Sequence, residues 1–180
     1  MHSLRAGLLL LVAGLPIGPA GDVRAQTRAA DPADVGTIPA IVHAVYDVMN
    51  GPPGHPRQWP RDATLYTPGA TFVSVSETNG RVESTIMTPE QFRRGFDVNV
   101  GFFETEVGRR IERFGHIAHV RSVAVVRSSK DGPVEERYVN YFNLYWDGTR
   151  WWVASIVWDA ERPSARIPDA WIGTWEDAGQ

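Results

Sequence analysis

No cysteine occurs anywhere in the 180 residues, and that absence closes several routes at once. Disulfides, zinc–thiolate and iron–sulfur sites, a cysteine nucleophile and a thiol-linked lipid anchor are all excluded. A dominant charge is also lacking, since 18 basic residues stand against 21 acidic ones. The basic stripe of a nucleic-acid interface is therefore missing, and no nucleic-acid partner is expected. There is no glycine-rich phosphate loop, no Ser-His-Asp pattern and no cluster with metal-ligand spacing, so neither a cofactor nor a metal is expected. Long hydrophobic runs are scarce as well. The one at residues 6–17 is short and interrupted by Gly14 and Pro16, which makes it a poor bilayer span.

What is present fits one globular domain. Apolar residues make up 43% and charged residues 22% of the chain, near the globular average. Without disulfides the fold must hold by packing, and seven Trp with seven Phe supply the bulk for it. Arg5, the apolar run behind it and the small residues around Val23-Arg24-Ala25 have the layout of a cleavable leader. The sequence thus predicts a signal peptide over 1–25, a linker over 26–36, a domain over 37–162 and a tail over 163–180. It predicts a bacterial periplasmic or secreted protein with no stable membrane anchor after cleavage.

Along the domain, Ile38, Ile41, Val42, Val45, Val48 and Met49 fall on one stripe at helical spacing, with Tyr46 at its edge. Asn50-Gly51-Pro52-Pro53-Gly54 stops that helix. Strands are predicted over 70–76 and 81–87, joined by Thr78-Asn79-Gly80. Thr88-Pro89-Glu90-Gln91 then starts a helix running to about residue 100. Four long antiparallel strands follow, over 102–114, 116–128, 135–146 and 151–159, the last two joined around Asp147-Gly148. Helices followed by such strands describe an α+β fold, a curved mixed sheet wrapped around N-terminal helices with an internal pocket.

Several segments carry a resemblance. Leu65-Tyr66-x-Pro68-Gly69-Ala70 and Asp147-Gly148-x-x-Trp151-Trp152-Val153 resemble the NTF2-like (SnoaL-like) superfamily, whose fold is an α+β cone. Asn50-Gly51-Pro52 with Trp59, Gly101-Phe102-Phe103-Glu104 through Arg113-Phe114-Gly115, and Ala118-His119-Val120 are similar to exported bacterial members. The resemblance spans residues 37–172 and implies small-molecule binding or cofactor-free lyase, isomerase or cyclase chemistry. Tyr46 resembles the tyrosine donor of ketosteroid isomerase. The isomerase Asp-Ala-Thr-x-x-Asp pattern, however, lands its base on Thr67 or Ser74, neither of which can take a carbon-bound proton.

Strand alternation sorts the candidate site residues. A two- or four-residue loop around Asp147-Gly148 puts Tyr138, Asn140, Phe142, Leu144 and Trp146 on one face with Trp151, Val153, Ser155, Val157 and Asp159; a three-residue loop would swap the assignment. The predicted pocket therefore holds Tyr46, His119, Asn140, Ser155 and Asp159, with His119 or Asp159 as catalytic candidates. A small apolar ligand is its expected occupant. His116 and His119, three apart on a strand, point to opposite faces and cannot chelate one ion. Glu104 and Glu106 are expected on an exposed face, paired with arginines, unless a bulge at Gly108 breaks the alternation. The opposite aromatic face, with Tyr141, Tyr145, Trp152, Ile156 and Trp158, suggests a homodimer or tail contact. A plain structural module that dimerises there and fills its own cavity is the remaining alternative.

Overall fold

The computed structural model describes residues 29–177; the expected leader and its cleavage site lie outside the described residues. Thr37 caps the main helix α2 (Ile38–Asp47) by accepting from Ala40 N–H at 3.2 Å, and Pro39 sits in its first turn. Both features favour a helix start at this point. Its buried stripe of Ile38, Ile41, Val42, Val45 and Tyr46 enters the core. Ahead of it, part of the expected linker is the helical turn α1 (Pro32–Val35), with Val35 buried and Asp34 bound to Arg61 at 2.7 Å. The short α3 (Trp59–Asp62) then leads into the sheet.

The strands are β1 (Tyr66–Thr78), β2 (Arg81–Met87), β3 (Phe103–Phe114), β4 (Ile117–Arg127), β5 (Glu136–Trp146), β6 (Trp151–Ala160) and the short β7 (Trp175–Glu176). They form one curved, unclosed mixed sheet in the order β2-β1-β6-β5-β4-β3-β7. The β1–β6 and β3–β7 pairs are parallel and the rest antiparallel. Helix α4 (Pro89–Gly95) has the full capping box of Thr88 and Gln91. It ends at Gly95, short of residue 100, because Phe96 takes extended backbone angles.

Irregular register gives the sheet its shape. Val107 is an extra residue on β3 and Ala154 an extra residue on β6. In β1 the pairing with β6 jumps from Tyr66 to Thr71. Bulges increase local twist and bend a strand, and here they curl the sheet around α2. At the β3 bulge the tail crosses closely, since a Cβ on Gly108 would stand 1.9 Å from the Trp171 carbonyl oxygen. The tail is tied down by Gly173 N–H to the Val107 carbonyl (2.7 Å), the β3–β7 pairing, and Arg121 stacked 3.8 Å from the Trp171 ring centre.

Phe142 sits at the centre of the core, fully buried and edge-on to Tyr46 with ring centres 6.0 Å apart. Phe142→Ala is expected to lose about 3–5 kcal/mol of stability, read as a lower denaturant midpoint. A loss under about 1 kcal/mol would show that this centre is not close-packed.

Candidate functional site

A cavity of about 220 Å³ opens between α2 and the concave face of the sheet. Helix α2 contributes Val45 and Tyr46, the turn behind it Met49, and β1 contributes Tyr66 and Phe72. Phe92, Phe96 and Phe102 come from α4 and the segment behind it. Val126, Tyr138, Asn140, Phe142, Ile156 and Trp158 line it from β4, β5 and β6, and Glu104 from β3. The rings meet edge to face, as in Phe72–Phe92 (5.5 Å), Phe96–Phe102 (5.2 Å) and Tyr66–Phe72 (5.1 Å). Such contacts fix the walls without filling the space between them.

Glu104 is the principal polar point. It is only 8% exposed. Asn50 holds its backbone at both ends: Glu104 N–H donates to Asn50 Oδ1 at 2.7 Å, and Asn50 Nδ2 donates to the Glu104 carbonyl at 3.0 Å. Beside it, Gly51 and Phe102 exchange backbone hydrogen bonds of 2.9 and 3.0 Å. The Asn50-Gly51 step just beyond α2 therefore also anchors the backbone that carries the Glu104 side chain.

Asn140 Nδ2 donates both to Glu104 Oε1 (3.3 Å) and to the Tyr46 hydroxyl (3.1 Å). Tyr46 donates to Ser122 Oγ (2.8 Å), and Ser122 donates to Glu106 Oε1 (2.6 Å). Glu106 is closed off by Arg109 at 3.0 Å. Burial pushes the Glu104 carboxyl up to about 7, with the Asn140 hydrogen bond working weakly against it. Burial likewise raises Glu106, and it lifts the Tyr46 phenol well above its usual range. A carboxyl that changes state near neutrality can accept or donate a proton, or meet a charged ligand, without a large penalty.

A second carboxylate, Asp62, braces the α4 side of the cavity. It takes Arg93 at 2.6 Å and the Tyr66 hydroxyl at 2.9 Å. Burial raises Asp62, while Arg93 opposes that rise. Among the described residues no group of three or more His, Asp or Glu is placed to hold a metal ion.

Of the expected pocket residues, Tyr46 and Asn140 line the cavity. His119, Ser155 and Asp159 do not. His119 stacks on Tyr141 with ring centres 5.1 Å apart, its Nδ1 3.0 Å from Asn143 Oδ1. Ser155 Oγ accepts from Asn143 Nδ2 at 2.8 Å on the same outer face. Asp159 pairs with Arg162 at 2.6 Å. For Ser155 and Asp159 the physical cause is Ala154. The hairpin loop has four residues, so Trp146 and Leu144 do face with Trp151 and Val153, but the bulge reverses the alternation beyond that point. Ile156 and Trp158 thereby turn inward, correcting their expected place on the outer face, and Ser155 and Asp159 turn out.

The second correction concerns Glu104 and Glu106, expected in solvent. Val107 is the extra residue in β3, so both glutamates share the inner face with Ile111, while Arg110 and Glu112 remain exposed. The bulge was foreseeable from Gly108; the burial of a carboxyl beside it was not. Thr67 and Ser74, at the isomerase base positions, are not among the cavity-lining residues, and Thr67 bonds the Tyr145 hydroxyl at 2.9 Å.

Because the folded pKa lies above the ordinary 4.5, the native state holds a proton that the unfolded chain has already lost. Stability from this group is complete below about pH 4.5 and is lost as pH rises to about 7, a change of about 3 kcal/mol. Glu104→Gln is therefore expected to be more stable than the parent near pH 8 and to show a flatter stability profile between about pH 4.5 and 7. Chemical denaturation across that range checks this, and parallel profiles for the two proteins would contradict it.

No protein-family model matches the chain, and no curated protein matches it. Among solved structures, a protein of unknown function from Mycobacterium tuberculosis, determined as a point variant, aligns with a TM-score of 0.51 at 18% identity, over 76% of this chain and 85% of its own. An NTF2-like protein of unknown function from Shewanella baltica aligns at 0.45 and 16% identity, over 70% of this chain and 98% of its own. A candidate ketosteroid isomerase from Shewanella frigidimarina aligns at 0.42 and 14% identity, over 66% and 91%. At these identities likeness speaks to architecture and not to activity. With its helices packed inside a curved, unclosed mixed sheet, the chain has the α+β cone fold expected from its sequence, and it shares that architecture with the Mycobacterium tuberculosis protein.

Proposed function

We propose that this chain is an exported domain that binds one small apolar molecule in its cone cavity. The observation that carries the reading is the cavity itself. It offers about 220 Å³, against the roughly 150 Å³ of a cavity that admits benzene. Its walls are mostly aromatic, and its own Trp and Phe side chains leave it open. That last point weighs against a structural module whose core fills the cone. Concave, apolar sites with a few polar points are the usual form of small-molecule sites.

A second reading, cofactor-free isomerase, lyase or cyclase chemistry, is favoured by the Glu104 carboxyl titrating at about 7 beside the Asn140–Tyr46 pair. Acid–base work at neutral pH needs a group of that kind. His119 and Asp159 have no part in it, since neither faces the cavity.

Export is supported by the leader-like layout of residues 1–25. Intact mass of the protein secreted by a bacterial host is expected to begin at Gln26; an uncleaved chain held in the cytoplasm would contradict it.

The binding reading is tested by thermal shift with one-ring apolar compounds. A ligand at about 100 times its Kd should add about 2.7 kcal/mol of stability. Val126→Phe, which adds bulk at a lining position, should abolish that shift with the near-ultraviolet dichroism of the fold retained. If no one-ring compound stabilises the parent, or if Val126→Phe leaves the shift intact, the cavity is not the site.

A further inference from the structure

Among the described residues Glu104 has no positive partner. None of the ion pairs among the described residues involves it, and the cations on neighbouring elements are committed elsewhere. Arg109 holds Glu106 at 3.0 Å, and Arg93 holds Asp62 at 2.6 Å. Arg57 gives its two terminal nitrogens to the carbonyls of Pro52, His55 and Val100 and lies over the Phe96 ring at 5.6 Å, with its Nε unpartnered among the described residues. One carboxylate oxygen takes the weak Asn140 bond of 3.3 Å, and no donor among the described residues reaches the other. A carboxyl 8% exposed normally has a cation or several donors around it.

The rest of the lining sharpens the deficit. The ionisable groups facing Glu104 are Tyr46 from α2, Tyr66 from β1, Tyr138 from β5 and Glu106 two residues along β3; β4 and β6 present Val126, Ile156 and Trp158. None of these brings positive charge. The hydroxyl protons are spent inside the protein: Tyr46 donates to Ser122, Tyr66 to Asp62 and Tyr138 to Glu136. Both Asn140 amide donor bonds also end on protein groups. What remains for a ligand is a set of acceptors: a carboxylate oxygen, phenol lone pairs and the π-systems of Phe72, Phe92 and Trp158, the Phe96 ring already lying under Arg57 at 5.6 Å. Aromatic rings around a carboxylate are the arrangement that attracts an organic cation.

Resting on the reading of the cavity as a ligand site, we propose that its occupant is a small hydrophobic amine, bound as the ammonium ion on Glu104 with its apolar body among the rings. The ammonium supplies the donors and the charge that the protein withholds, and the aromatic walls replace its water. A neutral ketone could pair only with the protonated carboxyl, and an alcohol can donate to the carboxylate but brings it no charge.

The test uses 2-phenylethylamine and its neutral counterpart 2-phenylethanol, titrated calorimetrically into the mature protein. Near pH 8 the amine is expected to bind at least tenfold more tightly than the alcohol. Its affinity should fall roughly a hundredfold towards pH 5, as the fraction of ionised Glu104 falls. Glu104→Gln should remove both the preference and the pH dependence while the alcohol still binds. Phe92→Leu, which keeps the carboxylate, should weaken the amine more than the alcohol. Alcohol binding equal to or tighter than amine binding near pH 8 overturns the amine assignment and leaves the apolar cavity standing. Binding of neither compound overturns both.

Discussion

Desolvation of one carboxyl group organises this site. Glu104 lies on an inner strand among aromatic rings, and among the described residues its side chain has a single weak hydrogen bond and no cation. Water would stabilise its anion by far more than the cavity does, so the group keeps its proton to about neutrality. The fold tolerates this because the surroundings leave Glu104 no escape to solvent. Asn50 pins its backbone on both sides, and the Gly51–Phe102 pair locks the same segment to the end of α2. Buried polar groups that are incompletely satisfied carry a stability penalty, and sites that meet ligands are where such penalties recur.

The two neighbouring carboxylates show what ordinary compensation looks like in the same interior. Asp62 has a guanidinium and a phenol, and Glu106 has a serine hydroxyl and a guanidinium. Each of these closes a structural joint: Asp62 ties α3 to α4, and Glu106 links β3 to β4. Glu104 closes nothing on its side-chain end except the Asn140–Tyr46 contact. Asp62 and Glu106 are paired and Glu104 is not, which separates a framework role from a role facing the cavity.

The architecture was legible in the sequence at the level of element order. The stripe from Ile38 to Met49, the Thr88-Pro89 helix start and the Asp147-Gly148 turn each report local backbone physics that tertiary packing left unchanged. Tyr46 and Asn140 were also reachable, the first from helical spacing and the second from alternation on β5. Alternation failed where a bulge intervened. Val107 and Ala154 each insert one residue, and a one-residue shift sends every later side chain to the other face. Ser155 and Asp159 were lost to that effect, and Ile156, Trp158, Glu104 and Glu106 were gained by it. Gly108 hinted at the first bulge; nothing in Val153-Ala154-Ser155 announces the second. His119 fell outside the cavity for another reason, since Val120 beside it takes the buried position and leaves the imidazole to stack on Tyr141.

The account stands or falls on the ionisation of Glu104, and the direct measurement is its side-chain carboxyl ¹³C shift in selectively labelled protein, followed from about pH 4 to about pH 9. A carboxyl enclosed among aromatic rings without a cation should titrate at about 7. It should also move down when an amine occupies the cavity. A midpoint at the ordinary value of 4.5 would mean that water or a cation reaches Glu104, and the cavity described above would not be the environment it occupies.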